Sequence, residues 1–340
     1  MSVSSNIFGY TEDGKSVKQF IISDGKMSVS LIELGASIQE LFVPDRNGER
    51  RDVVLGYADV AGYEHSTTFF GATLGRLISR MPDCTLHFEG KDYPLENDAG
   101  MHMHGGVKGF SRVKWEGEVT GDNQVTFTYV SPDGEEGYPG EVTAKVIYSI
   151  VSNCLSIAYD WTADRRTVVN PSNHSYFNLN GHDHGSICDH VLSAPVTAHF
   201  NQLTEESCPL DDGADISRET QLGELFALRK PSLEAMGGGL DHKFVLQPPS
   251  GDMKLASTLY SPASGIEMQC WTTMPCIMIY SGNMIKDIPG KAGMVYQKHA
   301  GICFETMLYS SLHDMYGGTA IVEPGKHHKS LTQFVFDLHA

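Results

Sequence analysis

The sequence predicts an all-β protein, a large antiparallel β-sandwich with few short helices. Short apolar runs recur along most of the chain, punctuated by turn residues such as Asp24-Gly25, Glu89-Gly90 and Gly121-Asp122-Asn123. Within Thr126-Phe127-Thr128-Tyr129-Val130 and Leu155-Ser156-Ile157-Ala158-Tyr159 the two faces alternate with period two, as they do in half-buried strands. Strand-like texture lies on both sides of a loop-rich middle, and no linker separates the two sides. Residues 1–340 therefore read as one domain built from two packed sheets. No fixed-period repeat suggests a propeller.

In order, 17–23 and 27–34 flank Asp24-Gly25 and form the first predicted hairpin. Residues 38–43 run into Asp45-Arg46-Asn47-Gly48, a further turn. Hairpins follow at 85–88 with 91–95, at 113–120 with 124–130, and at 142–151 with 154–162 across Ser152-Asn153. After Gly181 the chain becomes loop-rich, with Gly, Pro and Asp concentrated at 209–215 and 231–239, and one short helix is expected within 219–229. Strands resume at 243–246, 254–260, 266–272 and 277–281. The last two are 301–306 and 330–336.

Composition narrows the function. A hydrophobic content of 41% with 20% charged residues describes a globular chain. The formal net charge of −17 argues against nucleic acid or an anionic membrane surface as a partner. No apolar run approaches the ~18 residues of a membrane helix, and the polar start lacks the order of a signal peptide. The seven cysteines (84, 154, 188, 208, 270, 276, 303) are odd in number and include no CxxC pair, which fits reduced thiols in the cytoplasm. Asn173-His174-Ser175 matches a glycosylation sequon, read here as coincidence because no secretion signal accompanies it.

Chemistry concentrates in a few islands. Asn173-His174-Ser175-Tyr176-Phe177-Asn178-Leu179-Asn180-Gly181 sets an imidazole among amides and aromatic rings, as a site for a neutral, hydroxyl-rich ligand needs. His104-Gly105-Gly106 lets the backbone turn tightly and a ligand come close. Arg80 ends a mostly apolar stretch, where a guanidinium needs a partner. Asp241 follows three glycines and opens a strand, the place of a turn or cap residue as well as of a ligand contact. Glu305 lies inside the apolar run Gly301-Ile302-Cys303-Phe304, where burial raises a carboxyl pKa towards general-base strength. His102-x-His104, His327-His328 and the group His182, His184, Cys188, Asp189 and His190 match no zinc or iron spacing, and no metal is expected.

The islands occur in a specific order: Gly75-Arg76 with Arg80, His104-Gly105-Gly106 with Gly109-Phe110, Asp133 to Gly140, Asn173 to Gly181, Asp241-His242 and Glu305-Thr306. In kind and order they resemble the aldose 1-epimerase (galactose mutarotase) family, from about Gly35 to Phe336. The resemblance implies a galactose mutarotase-like supersandwich that interconverts anomers of free aldoses of glucose or galactose type, without a cofactor. It implies that Glu305 takes the O1 proton and His174 protonates the ring oxygen. His104 would assist by hydrogen bonding near that oxygen, while Arg80 and Asp241 anchor hydroxyls. The chain departs from the family where Ser79 stands in place of the usual Asn before Arg80, in the run Asn97 to Met103, and at Met307, usually Gln. The partner implied is a monosaccharide or a disaccharide, and the protein a monomer or homodimer.

Three other readings share the fold. A hexose-6-phosphate 1-epimerase needs extra cationic groups for the phosphate, against the acidic balance of this chain. A non-catalytic sugar-binding protein is expected to lack Glu305 or His174, and both are present. A glycoside hydrolase needs two carboxylates across the bond, a role Asp241 and Glu305 could imitate.

Overall fold

A computed structural model describes residues 2–81, 83–200, 207–208, 215–246, 250–309 and 319–339, with backbone alone for 197–200 and 207–208. The predicted hairpins form as their turns dictate. Ser16–Ser23 pairs with Ser28–Ile32, Thr85–Phe88 with Lys91–Pro94, Glu116–Gly121 with Gln124–Ser131, and Val142–Val151 with Cys154–Ala163, all antiparallel. Along Val142–Val151, residues Val142, Ala144, Val146, Tyr148 and Ile150 are buried while the alternate positions are more exposed, so the period read from the sequence is the period of the core.

Two differences from the sequence reading have local causes. Ser2–Tyr10 is a strand although it is polar and mostly exposed, because it lies at a sheet edge and is held by backbone pairing with Ser16–Ser23. The helix expected within 219–229 is shorter, Leu222–Ala227, since Thr220–Gln221 pairs with Val191–Ser193 instead. Two further one-turn helices appear. Val60–Glu64 starts at Asp59, whose carboxylate accepts from the Gly62 N–H, and Pro231–Ala235 has proline in its first turn. The loop predicted at 209–215 lies almost entirely outside the described residues.

The large sheet has nine strands, in the order 116–121, 124–131, 142–151, 154–163, 328–338, 266–272, 254–260, 191–193 and 220–221. Its centre is the last strand, His328–Leu338, which pairs on one side with Cys154–Ala163 and on the other with Ile266–Thr272. The C-terminus thus joins the two halves of the chain. Facing this sheet are the five-stranded N-terminal meander and a six-stranded sheet, linked by a bridge between Val54 and Phe177. Rings interdigitate across the layers, with centroids 5.6 Å apart for Phe20 and Phe127 and 4.8 Å for Phe177 and Phe334. The buried Tyr148 hydroxyl donates to the Ala36 carbonyl at 2.7 Å, so its polar end is satisfied.

The six-stranded sheet matters most for function. Its order is 176–177, 302–307, 276–280, 241–246, 196–200 and 207–208. Its register sets Tyr176, Cys303, Tyr280 and Asp241 in one row, and Glu305 beside Met278 in the next. No described helix is long and apolar enough to cross a membrane.

Candidate active site

A small cleft of about 170 Å³ opens over this sheet. Ser79, Arg80, His104, His174, Asp241 and Glu305, which lie far apart in the chain, all line it.

Asn173-His174-Ser175 forms the link between two short strands. Ser172–Asn173 pairs with Thr73–Leu74, and Tyr176–Phe177 pairs with Ile302–Met307. The amides of this run are occupied by the protein itself. Asn173 Nδ2 donates to the Gly71 carbonyl at 2.8 Å, and its Oδ1 accepts from the Ser175 backbone and hydroxyl. Asn178 donates to the carbonyls of Ala300 and Gly185. They hold the turn that aims His174, and they are not ligand contacts. Strand alternation sends Tyr176 to the cleft and Phe177 to the core.

His104 follows the pair Arg80–Met81 with His102–Met103 and adopts a left-handed backbone, φ 53°. The next two glycines continue the turn, and the close approach they permit is by the protein's own chain. A Cβ on Gly105 would lie 1.7 Å from the Gly75 carbonyl oxygen, and one on Gly106 would meet the Glu136 carboxylate. Glu136 accepts from the N–H groups of Val107, Lys108 and Gly109, so the 133–140 motif is a brace for the histidine loop. The Ser79 N–H donates to His104 Nδ1 at 3.4 Å, which leaves the imidazole hydrogen on Nε2. His102 is turned away, buried between the Glu96 carbonyl and the Tyr138 hydroxyl, so the His102-x-His104 spacing does not converge.

Arg80 and Asp241 meet at 3.1 Å, a half-buried ion pair at the cleft wall. The pair is structural and faces the ligand space at once.

Glu305 and His174 are almost fully buried, with Oε1 and Nε2 3.5 Å apart. Burial pushes the Glu305 carboxyl well above its usual pKa; nearby Asp241 adds to this and Arg80 opposes it. His174 is lowered to about 3 by burial, which its own backbone opposes and Arg80 reinforces. Both effects favour uncharged partners, and 3.5 Å exceeds a charge-assisted bond. We therefore read the cleft as holding a carboxylic acid beside a neutral imidazole. Glu305 Oε2 is buried and finds no hydrogen-bond partner among the described residues.

His174, Cys303 and Glu305 place ligand atoms within 4.8 Å of one another, the only such trio among the described residues. The imidazole shows one nitrogen to the thiol and the other to the carboxyl, so the donors bracket the ring instead of converging on a point. The His182 to His190 group is dispersed: His182 contacts Tyr296, His184 pairs with Asp183, and His190 bonds Asp189 and accepts from the Leu179 N–H. His327 pairs with Asp160, while His328 stacks on Trp161.

The model of the family described as aldose 1-epimerase matches residues 18–335. The chain belongs to that family. Relatives include the galactose mutarotases of Sus scrofa, 35% identical, and Homo sapiens, 34% identical, each aligned over 99% of both chains. The Escherichia coli aldose 1-epimerase is 29% identical over 91% of this chain and 92% of its own. Among solved structures, a C. elegans aldose epimerase homologue superposes with TM-score 0.84 over 99% of this chain and 100% of its own, at 24% identity. A galactose 1-epimerase from Lactobacillus acidophilus gives 0.83 over the whole of both chains, at 22%. The supersandwich architecture expected of an aldose 1-epimerase is thus the architecture found.

Sequence reasoning missed four contributors. Cys303 lies two residues before Glu305 on the same strand face, a signal that was available, and its Sγ stands 3.5 Å from His174 Nδ1. Tyr280 and Met278 enter the cleft through cross-strand register alone. Glu136 sits inside a recognised motif, but nothing local shows that it braces another loop.

Proposed function

We propose that this chain interconverts the α and β anomers of free aldoses, glucose and galactose first among them, with Glu305 as base and His174 as acid. Glu305 carries this reading. One carboxyl oxygen stands 3.5 Å from His174, and the other is a buried acceptor that meets no donor among the described residues. The O1 hydroxyl of a cyclic aldose is such a donor.

The pair holds one proton. Moving it from Glu305 to His174 Nε2 creates carboxylate and imidazolium with no change in net charge, and the hydrogen bond from O1 to Oε2 favours that state. The carboxylate then takes the O1 proton as Nε2 gives its proton to the ring oxygen and the C1–O5 bond breaks. Rotation about C1–C2 presents the other face of the aldehyde, and the reverse transfers close the ring.

The two histidines divide the work by their surroundings. A backbone N–H occupies Nδ1 of His104, so this ring cannot readily become an imidazolium and serves as an Nε2–H donor. Its pKa is lowered well below 6.5 by burial and by neighbouring His174 and Arg80. The Arg80–Asp241 pair offers both a donor and an acceptor to sugar hydroxyls.

A phosphorylated hexose fits less well, since Arg80 is the one Lys or Arg among the described cleft residues and it already bonds Asp241. We take residues 1–340 as one domain, supported by a core that draws on Phe20 and Phe336 alike. The unpaired state of the described cysteines supports a reducing compartment such as the cytoplasm. Polarimetry or NMR of freshly dissolved α-anomers of glucose, galactose, xylose and maltose tests the proposal. Catalysed equilibration is expected for at least one, and rates equal to buffer for all four would overturn it.

A further inference from the structure

We propose that Cys303 is a positioning residue whose sulfur holds the Nδ1–H of His174, so that Nε2 alone carries the mobile proton. The inference rests on the reading of His174 as the acid. For that role one nitrogen must keep its hydrogen while the other gains and loses one, or the ring would pass through an imidazolate. Nε2 faces Glu305 at 3.5 Å, and Nδ1 faces Cys303 Sγ, also at 3.5 Å. That separation suits an N–H to sulfur contact, and sulfur is a weak acceptor that does not strip the proton.

His104 supplies the contrast within the same cleft. Its ring centroid is 5.4 Å from that of His174, yet its Nδ1 meets a backbone N–H, a donor that opposes a second ring proton. What separates an acid from a plain donor is thus the atom behind each ring. Strand geometry places the sulfur: Cys303 and Glu305 are alternate residues of Ile302–Met307, so one face delivers both partners of His174. Burial raises the Cys303 pKa well above the usual 9.0, with Glu305 and Asp241 adding to the effect and Tyr176 opposing it, so the sulfur stays a thiol. The backbone of His174 itself also favours the protonated ring, and the other polar groups near the ring are Arg80, His104, Tyr176 and Tyr280.

The test is ¹⁵N NMR of histidine-labelled protein together with kinetics of C303A and C303S. Wild type is expected to show His174 protonated at Nδ1 when neutral. C303A should populate both tautomers, lose about tenfold in kcat with KM nearly unchanged, and move the His174 limb of the pH profile to lower pH. C303S, whose hydroxyl can also accept, should restore the spectrum and most of kcat. The proposal is overturned if wild-type His174 is the Nε2–H tautomer, a result that needs no variant to fold. It is equally overturned if C303A leaves spectrum and profile unchanged, or if C303S does no better than C303A. A separate control, H174N, keeps the two readings apart: retained mutarotation in H174N would sink the acid assignment itself, whatever Cys303 does.

Discussion

Replacing Glu305 by Gln should abolish most activity and stabilise the protein at the same time. In the unfolded chain this carboxyl titrates near its usual 4.5, while in the folded chain burial raises it well above that value. Between those two values the folded state binds the extra proton, so stability falls as pH rises through that window. At pH 7 the ceiling on this loss is about 3.4 kcal/mol, the free energy of protonating a group of pKa 4.5 at that pH. Gln does not titrate and so escapes the loss. With an unfolding entropy of about 2.1 cal/mol/K per residue, 340 residues convert that ceiling into a Tm gain of about 5 °C. The new amide N–H takes the place of the carboxyl O–H that faces His174 Nε2, which leaves the amide oxygen at the Oε2 position. Loss of a general base costs roughly 10²- to 10⁴-fold in kcat, or about 3 to 5.5 kcal/mol in barrier. Thermal melts at pH 4 and pH 7 with polarimetric kcat decide the matter: equal Tm near pH 4, a higher Tm for E305Q at pH 7, and kcat nearly lost. Wild-type kcat in a folded E305Q would refute the role, leaving Asp241 as the next candidate base. A lower Tm at pH 7 would show that the fold stabilises the carboxylate, against the desolvation reasoning.

His174→Asn should reduce kcat by a similar factor, and the double variant with E305Q should lose much less than the product, because both groups serve one proton shuttle; multiplicative losses would contradict this. Ser79 already has a left-handed backbone, φ 87°, which asparagine tolerates, so Ser79→Asn should fold normally. Its longer side chain should change KM or the relative rates among sugars with kcat nearly intact; a uniform kcat loss with unchanged KM would point to a lost transition-state contact instead. Activity should survive exhaustive chelation, because proton transfer alone opens the ring. Loss with EDTA and recovery with zinc would return attention to His174, Cys303 and Glu305, whose ligand atoms lie within 4.8 Å.

The sequence by itself determined the strands and their hairpins, because period-two alternation and turn chemistry act over a few residues. It also exposed the residues that carry the chemistry, since His174, Glu305, His104, Arg80 and Asp241 each stand out in their own short segments. Local signals could not show the strand Ser2–Tyr10, whose polar residues have no core to face. Tertiary structure alone decided who meets whom. Arg80 finds Asp241 across 161 residues, and the C-terminal strand inserts between two strands that no hairpin connects to it. It turned Asn173 and Asn178 to the backbone, set Glu136 under a distant loop, and placed a thiol behind one histidine and an amide N–H behind the other. The physical reason is register. In a sheet, a slip of one residue exchanges every inward side chain for its outward neighbour, and long-range register follows from the packing of the layers as a whole.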